Sequence, residues 1–330
     1  MATTSKKSSS AKKRKPTKKA TSATKKSVTK KVSNTPTKTA AKAPVNTVTK
    51  KEASKKVVAS SKPAKVSKAP LTKLEKLFRW NVFMAVFHAV QAGLVLYLAK
   101  ADAGIQTVTT NFLTTDTLAS TTEQPVLVSA TRSLFDVNLA WLVAAFFIMS
   151  AIAHASIATW YRKRYEADLQ KGINKARWIE YSLSASTMMI AIALIAGIYD
   201  LGSLVMMFVL TAVMNLCGLV MELVNQGRGK IDWSSYIVGC IAGIAPWIVY
   251  SFYIVGSSQY GEGGGPPTFV YFILISIFLF FNSFAINMLL QYRKKGKWAD
   301  YLYGEKVYMV LSLVAKAALA WQVFAGTLRP

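Results

Sequence analysis

Residues 308–326 read YMVLSLVAKAALAWQVFAG, an apolar run with one lysine, Lys316, near its middle. Crossing the hydrocarbon of a bilayer takes about 20 apolar residues, so this run and its flank, 305–327, read as a membrane-spanning helix. A lysine at that depth costs about 2.5–3.5 kcal/mol on insertion scales. Near a helix end its side chain would snorkel to water, but both ends of the run are two turns or more away. Lys316 must therefore be neutral, paired or used covalently. The residue type alone leaves structural pairing and a functional role equally open. Working outward, six more stretches are long and apolar enough to cross: 77–99, 137–160, 174–198, 203–225, 234–255 and 268–291. Trp80, Trp160, Trp178, Trp233 and Trp298 fall near their ends, where interfacial anchors sit. The expected fold is an all-α membrane protein, a bundle of seven transmembrane helices.

The chain is 52% hydrophobic yet carries a net charge of +26. These facts belong to different parts of it. Residues 1–70 hold 21 Lys/Arg against one acid, Glu52, and so supply +20 of that charge. Such a Lys/Ser/Thr/Ala-rich segment buries too little apolar area to offset its chain entropy, so residues 1–72 are expected to be a disordered tail preceding a membrane domain, 73–330. The tail suits electrostatic contact with anionic lipid and carries no signal for specific nucleic-acid recognition. Cys217 and Cys240 lie inside apolar blocks and read as buried packing residues rather than a disulfide or metal site. Soluble-enzyme motifs are absent, and the chain is not read as an enzyme.

Charge between the spans sets orientation. The joint YRKRYEADLQKGINKAR (161–177) carries six basic residues, the joint after the fourth span has Arg228 and Lys230, and that after the sixth has Arg293, Lys294, Lys295 and Lys297. On the other side stand only Lys100, Arg132 and Arg329. The positive-inside rule then places the N-terminus in the cytoplasm and the C-terminus outside. The long outer joint, 101–134, alternates Val/Leu/Phe with Thr, as a small β-hairpin would.

Glu180, in RWIEYSLSAS of the third span, is the natural partner for Lys316. Lys316 lies eleven residues from the inner end of its helix, about 16 Å at 1.5 Å per residue. Reaching that depth requires the third helix to begin near residue 170. Ser312 is one turn before Lys316, and Ser150 and His154 share a face of the second span. His88, Glu222 and Glu305 occupy the same halves of their helices. The opposite halves hold no ionisable residue between Lys100, Asp136, Asp200 and Arg329.

LSLVAKAALAWQVFAG and RWIEYSLSASTMM, with seven spans and this orientation, resemble the heliorhodopsins, the inverted branch of microbial rhodopsins, over about 73–330. The resemblance implies all-trans-retinal held as a Schiff base on Lys316, with Glu180 as its single counterion. Arg177 matches the arginine preceding the counterion. Trp178, Tyr181, Met214, Gly218, Trp247, Phe281, Asn282 and Trp321 are similar to the family's chromophore pocket, and Ser312 stands where other rhodopsins carry a second acid. His88, Ser150, His154, Glu222, Tyr301, Glu305 and Ser312 resemble its cytoplasmic polar network. The 101–134 joint resembles a dimer-forming hairpin, which implies a homodimer in the lipid bilayer.

Proton-pumping rhodopsins carry an acceptor acid, a threonine and a donor acid on the third helix. Here those positions are Glu180, Ser184 and Ala191, so active pumping is not expected. The first reading is a light sensor with a slow photocycle, signalling to a cytoplasmic partner that the sequence does not name. A light-gated passive proton channel is the alternative. A retinal-free seven-helix transporter or receptor with a structural Lys316–Glu180 pair ranks third.

Overall fold

The computed structural model describes residues 72–261 and 263–328. The lysine-rich tail and Arg329 lie outside the described residues. Seven helices are long and apolar enough to cross a membrane: α1 (Lys73–Leu98), α2 (Leu139–Ala158), α4 (Lys175–Ile195), α5 (Leu201–Val224), α6 (Ser234–Tyr260), α7 (Thr268–Tyr292) and α8 (Tyr301–Val323). A short helix, α3 (Arg162–Gln170), stands between α2 and α4. Strands β1 (Ile105–Thr115) and β2 (Leu127–Asn138) pair antiparallel between α1 and α2. The bundle therefore has a hairpin end and, opposite it, a basic end formed by α3 and the joints after α5 and α7.

Polar residues at the span boundaries start the helices. Thr72 and Glu75 form a reciprocal capping box on α1, and Asn138, Asp200 and Asp300 cap α2, α5 and α8 by accepting a backbone N–H in the first turn. The amide and hydroxyl of Ser203 help hold the Asp200 carboxylate below its ordinary range. This cap is therefore fully made above the usual aspartate range and weakens as pH falls through the lowered value.

The third span does not begin near residue 170. Gly172 adopts φ +72° and ends α3, and Asn174 caps a new helix by accepting the Arg177 N–H at 3.0 Å. A glycine in the left-handed region followed by an N-cap breaks the chain there as effectively as a proline would.

The hairpin is docked by a bulge between Val108 and Thr109, where the Thr109 N–H donates to the Tyr199 carbonyl at 2.9 Å. At its root Gly104 (φ +70°) faces Leu328, whose Cδ2 would lie 2.5 Å from a Cβ there. The core toward the hairpin end is apolar, with Phe146, Phe147, Ile192, Leu319 and Val323 fully buried. Nearer the basic end Trp178, Tyr181, Met221 and Tyr308 form a separate aromatic cluster. Val86, Ile241, Phe252 and Leu279 point outward and are exposed, as the lipid-facing residues of a membrane bundle must.

Candidate functional site

Lys316 lies in the middle of α8, its Nζ 2.9 Å from Glu180 Oε1 and 2.8 Å from Ser312 Oγ. The same carboxylate oxygen accepts the Ser150 hydroxyl at 2.6 Å. All four residues are buried. The depth mismatch read from the sequence disappears because long side chains on a helix lean toward its N-terminus. The ammonium sits beside Ser312, seven residues past Glu305, so the depth to be matched is about 10 Å rather than 16. An α4 beginning at Lys175 reaches it.

Two further polar groups lie on the basic-end side. His88 and His154 stack with centroids 5.8 Å apart, and His154 Nδ1 is 2.8 Å from Asn81 Oδ1. Neither ring nitrogen of the fully buried His88 meets a protein partner among the described residues. Arg177 bonds both Glu222 and Glu305. Asn174 adds its backbone N–H to Glu222 at 2.8 Å and its amide to Glu305 at 2.7 Å, and the Tyr301 hydroxyl reaches Glu222 at 3.1 Å. This cluster ties α4, α5 and α8 together. The residues expected to form one network thus fall into three groups, with Ser150 and Ser312 at the lysine pair, the two histidines together and the rest around Arg177, and Asn81, His154, Arg177, Glu180 and Glu305 help to line a small cavity of about 30 Å³ among them. Arg177 belongs to the cluster with Glu222 and Glu305 and has no hydrogen bond to Glu180; its guanidinium lies 4.0 Å from the centroid of the Tyr308 ring.

Arg177→Gln should leave two buried carboxylates without their cation. Breaking a buried ion pair from one side costs about 3–5 kcal/mol, so thermal melting in detergent, followed by circular dichroism, should show a clearly lowered midpoint. A wild-type melting curve would mean the cluster is not structural.

On the other side Lys316 opens into a space of about 40 Å³ beside Tyr181 and Met188, adjacent to a cavity of about 340 Å³ between α5, α6 and α7. Met214, Asn215, Phe281 and Phe284 line both. Glycines keep the cavity clear: a Cβ at Gly218 would lie 2.4 Å from the Trp178 ring, and one at Gly243 2.3 Å from Met214 Sδ. Trp178, Met214, Gly218, Trp247, Phe281 and Asn282 line the larger cavity, and Tyr181 and Ser312 line the space at the lysine. Trp321 does not. It is 36% exposed, packs edge-on against Phe324 and lines neither space.

A family profile described as Heliorhodopsin matches residues 77–328. The chain belongs to the heliorhodopsin family. Its structure is similar to cyanorhodopsin from the cyanobacterium Tolypothrix sp. NIES-4075, with a TM-score of 0.51 and 11% identity over 78% of this chain and 96% of that one. At that identity the likeness is one of fold. A light-driven proton pump from Leptosphaeria maculans matches with a TM-score of 0.39 and 13% identity over 77% of this chain and 92% of that one. No curated protein sequence matches the chain.

As a heliorhodopsin, the chain is an integral multi-pass membrane protein of the retinal-binding rhodopsin type. Its residues fit that group. An apolar slot held open by Gly218 and Gly243 adjoins the space at a buried primary amine, with four lining residues in common, which suits an apolar polyene ending in an aldehyde. Two expectations need correction here. Trp178, near a span end, is buried against the cavity rather than anchored at an interface, and Cys240 is exposed and lines the cavity with Cys217. The sequence reading missed Asn81, Asn174, Asn215 and Tyr308. The signal for Asn174 was available, because an asparagine two residues after a glycine, at the start of a mainly apolar span, is an N-cap pattern.

Proposed function

We propose that this heliorhodopsin is a light sensor carrying all-trans-retinal on Lys316, with Glu180 as the single counterion, a slow photocycle and no active ion transport. The observation that carries this reading is the buried Lys316 Nζ, 2.9 Å from Glu180 Oε1 in a residue that lines the small space adjoining the apolar cavity. Bound there, retinal supplies a visible absorption band and a light-driven change of shape. Glu180 balances the cation, and the Ser150 hydroxyl orients the carboxylate. Protein purified with added retinal should show a visible band that illumination changes. A colourless sample would favour a retinal-free bundle with a structural ion pair.

In the orientation the charges favour, the basic end is cytoplasmic, and the lysine-rich tail adds a contact with anionic lipid. The polar groups beyond Glu180 all lie toward that end. Toward the hairpin end Ala191, at the position of a pump's donor acid, is buried in an apolar core. Among the described residues that half buries no acid or histidine, so a proton crossing it would face a large desolvation cost. Signalling would then pass to a partner at the basic end. The hairpin leaves Leu113, Leu118, Leu127 and Phe135 exposed, and a second copy of the chain is the proposed cover.

His154→Ala, alone and with His88→Ala, should change the rise or decay of the light-induced deprotonated species while leaving the dark colour nearly unchanged. Flash photolysis with a pH-sensitive dye checks this. A proton signal on the hairpin side, or a sustained photocurrent under voltage clamp, would replace the sealed-half account with passive proton conductance.

A further inference from the structure

We propose that Asn215 sets the colour of the bound chromophore by presenting a permanent carbonyl dipole to the passage between Lys316 and the main cavity. The inference rests on the assignment of retinal to Lys316. Asn215 lies on α5, is 7% exposed, and lines both the space at the lysine and the large cavity beyond it. Its Nδ2 donates to the Thr211 carbonyl at 2.8 Å. That bond fixes which way round the amide stands, since the reverse assignment would set two carbonyl oxygens against each other. Its Oδ1 accepts no hydrogen bond from a described residue and is not fully buried.

The other side chains shared by the two spaces, Met214, Phe281 and Phe284, are apolar. An acceptor turned toward hydrocarbon forfeits its partner and costs free energy. A leucine would fill nearly the same volume without that cost. A local violation of polar satisfaction in an otherwise consistent core marks a functional position.

The direction of the effect follows from where the charges stand. Absorption of light moves positive charge from the lysine nitrogen along the conjugated chain. Glu180 lies on the basic-end side of the nitrogen and does not line the chromophore spaces, so it favours the ground state. The Asn215 oxygen lies beside the passage beyond the nitrogen, where it favours the excited state. It therefore moves absorption to longer wavelength.

The test compares wild type, Asn215→Leu and Asn215→Ser, each reconstituted with all-trans-retinal. Asn215→Leu removes the dipole at constant volume. Asn215→Ser can back-bond to the Thr211 carbonyl and withdraws the acceptor from the passage. Both bands should move to shorter wavelength, whereas loss of the band on alkalinisation should follow wild type because the Glu180 pair is intact. The unliganded Asn215→Leu protein should melt no lower than wild type, which separates tuning from a merely structural amide. Bands at the wild-type wavelength or longer in both variants would overturn the inference and leave the retinal assignment standing. A wild type that forms no band with retinal would overturn both.

Discussion

Lys316→Ala and Lys316→Arg should each abolish the visible band of protein supplied with retinal. Only a primary amine able to give up its proton condenses with an aldehyde. An alanine has none, and a guanidinium stays protonated and planar. Among the described residues Lys316 is the only buried lysine, and it pairs with Glu180, so no buried neighbour can substitute. Arg177, the other buried cation in the bundle, is held by Glu222 and Glu305 and faces away from the cavity. Loss of fold is the competing explanation for a colourless variant. An independently folded sample, judged by gel filtration and helical circular dichroism, removes it. Retained colour in both variants would require another point of attachment.

Glu180→Gln should shift the band to longer wavelength and cause it to be lost at a less alkaline pH than in wild type. The carboxylate stabilises the positive charge at the nitrogen more in the ground state than in the excited state, so removing it narrows the gap. No other described carboxylate takes its place. Ser312, at the position one turn before the lysine, brings a hydroxyl, and Glu222 and Glu305 are committed to Arg177. A buried carboxylate next to a cation interacts strongly through a medium of low dielectric, so the change should be large. Since about 1.4 kcal/mol corresponds to one unit of pH, the midpoint should move by several units. A variant with wild-type colour and titration would assign the counterion elsewhere.

The lysine and its acid were legible in the sequence because charge inside an apolar run is costly, so each such residue demands an explanation. The apolar runs were legible for the same reason but their ends were less so: caps at Asn138, Asp200 and Asp300 start α2, α5 and α8 at 139, 201 and 301, where the apolar runs were read from 137, 203 and 305. Helix α3 was not, because its nine residues have no apolar run and only Tyr165 and Leu169 give it an inner face. Trp321 was placed by resemblance, yet periodicity argued against it. Five residues beyond Lys316, it stands about 140° round the helix from the lysine, whereas Ser312, four before, shares the lysine's face. Asn215 was hidden for a different reason. A buried asparagine that back-bonds to its own helix looks the same in sequence whether its oxygen faces a cavity or packed neighbours, and only the fold of α5 against α6 and α7 decides.

The central claim is that one lysine carries the chromophore. Illuminated protein treated with borohydride in the presence of retinal, then digested and analysed by mass spectrometry, tests it most directly, because reduction fixes the carbon–nitrogen bond to whichever amine formed it. The account predicts a retinyl addition on the peptide containing Lys316 and on no other. An unmodified Lys316 peptide, or the addition on a different lysine, would contradict it.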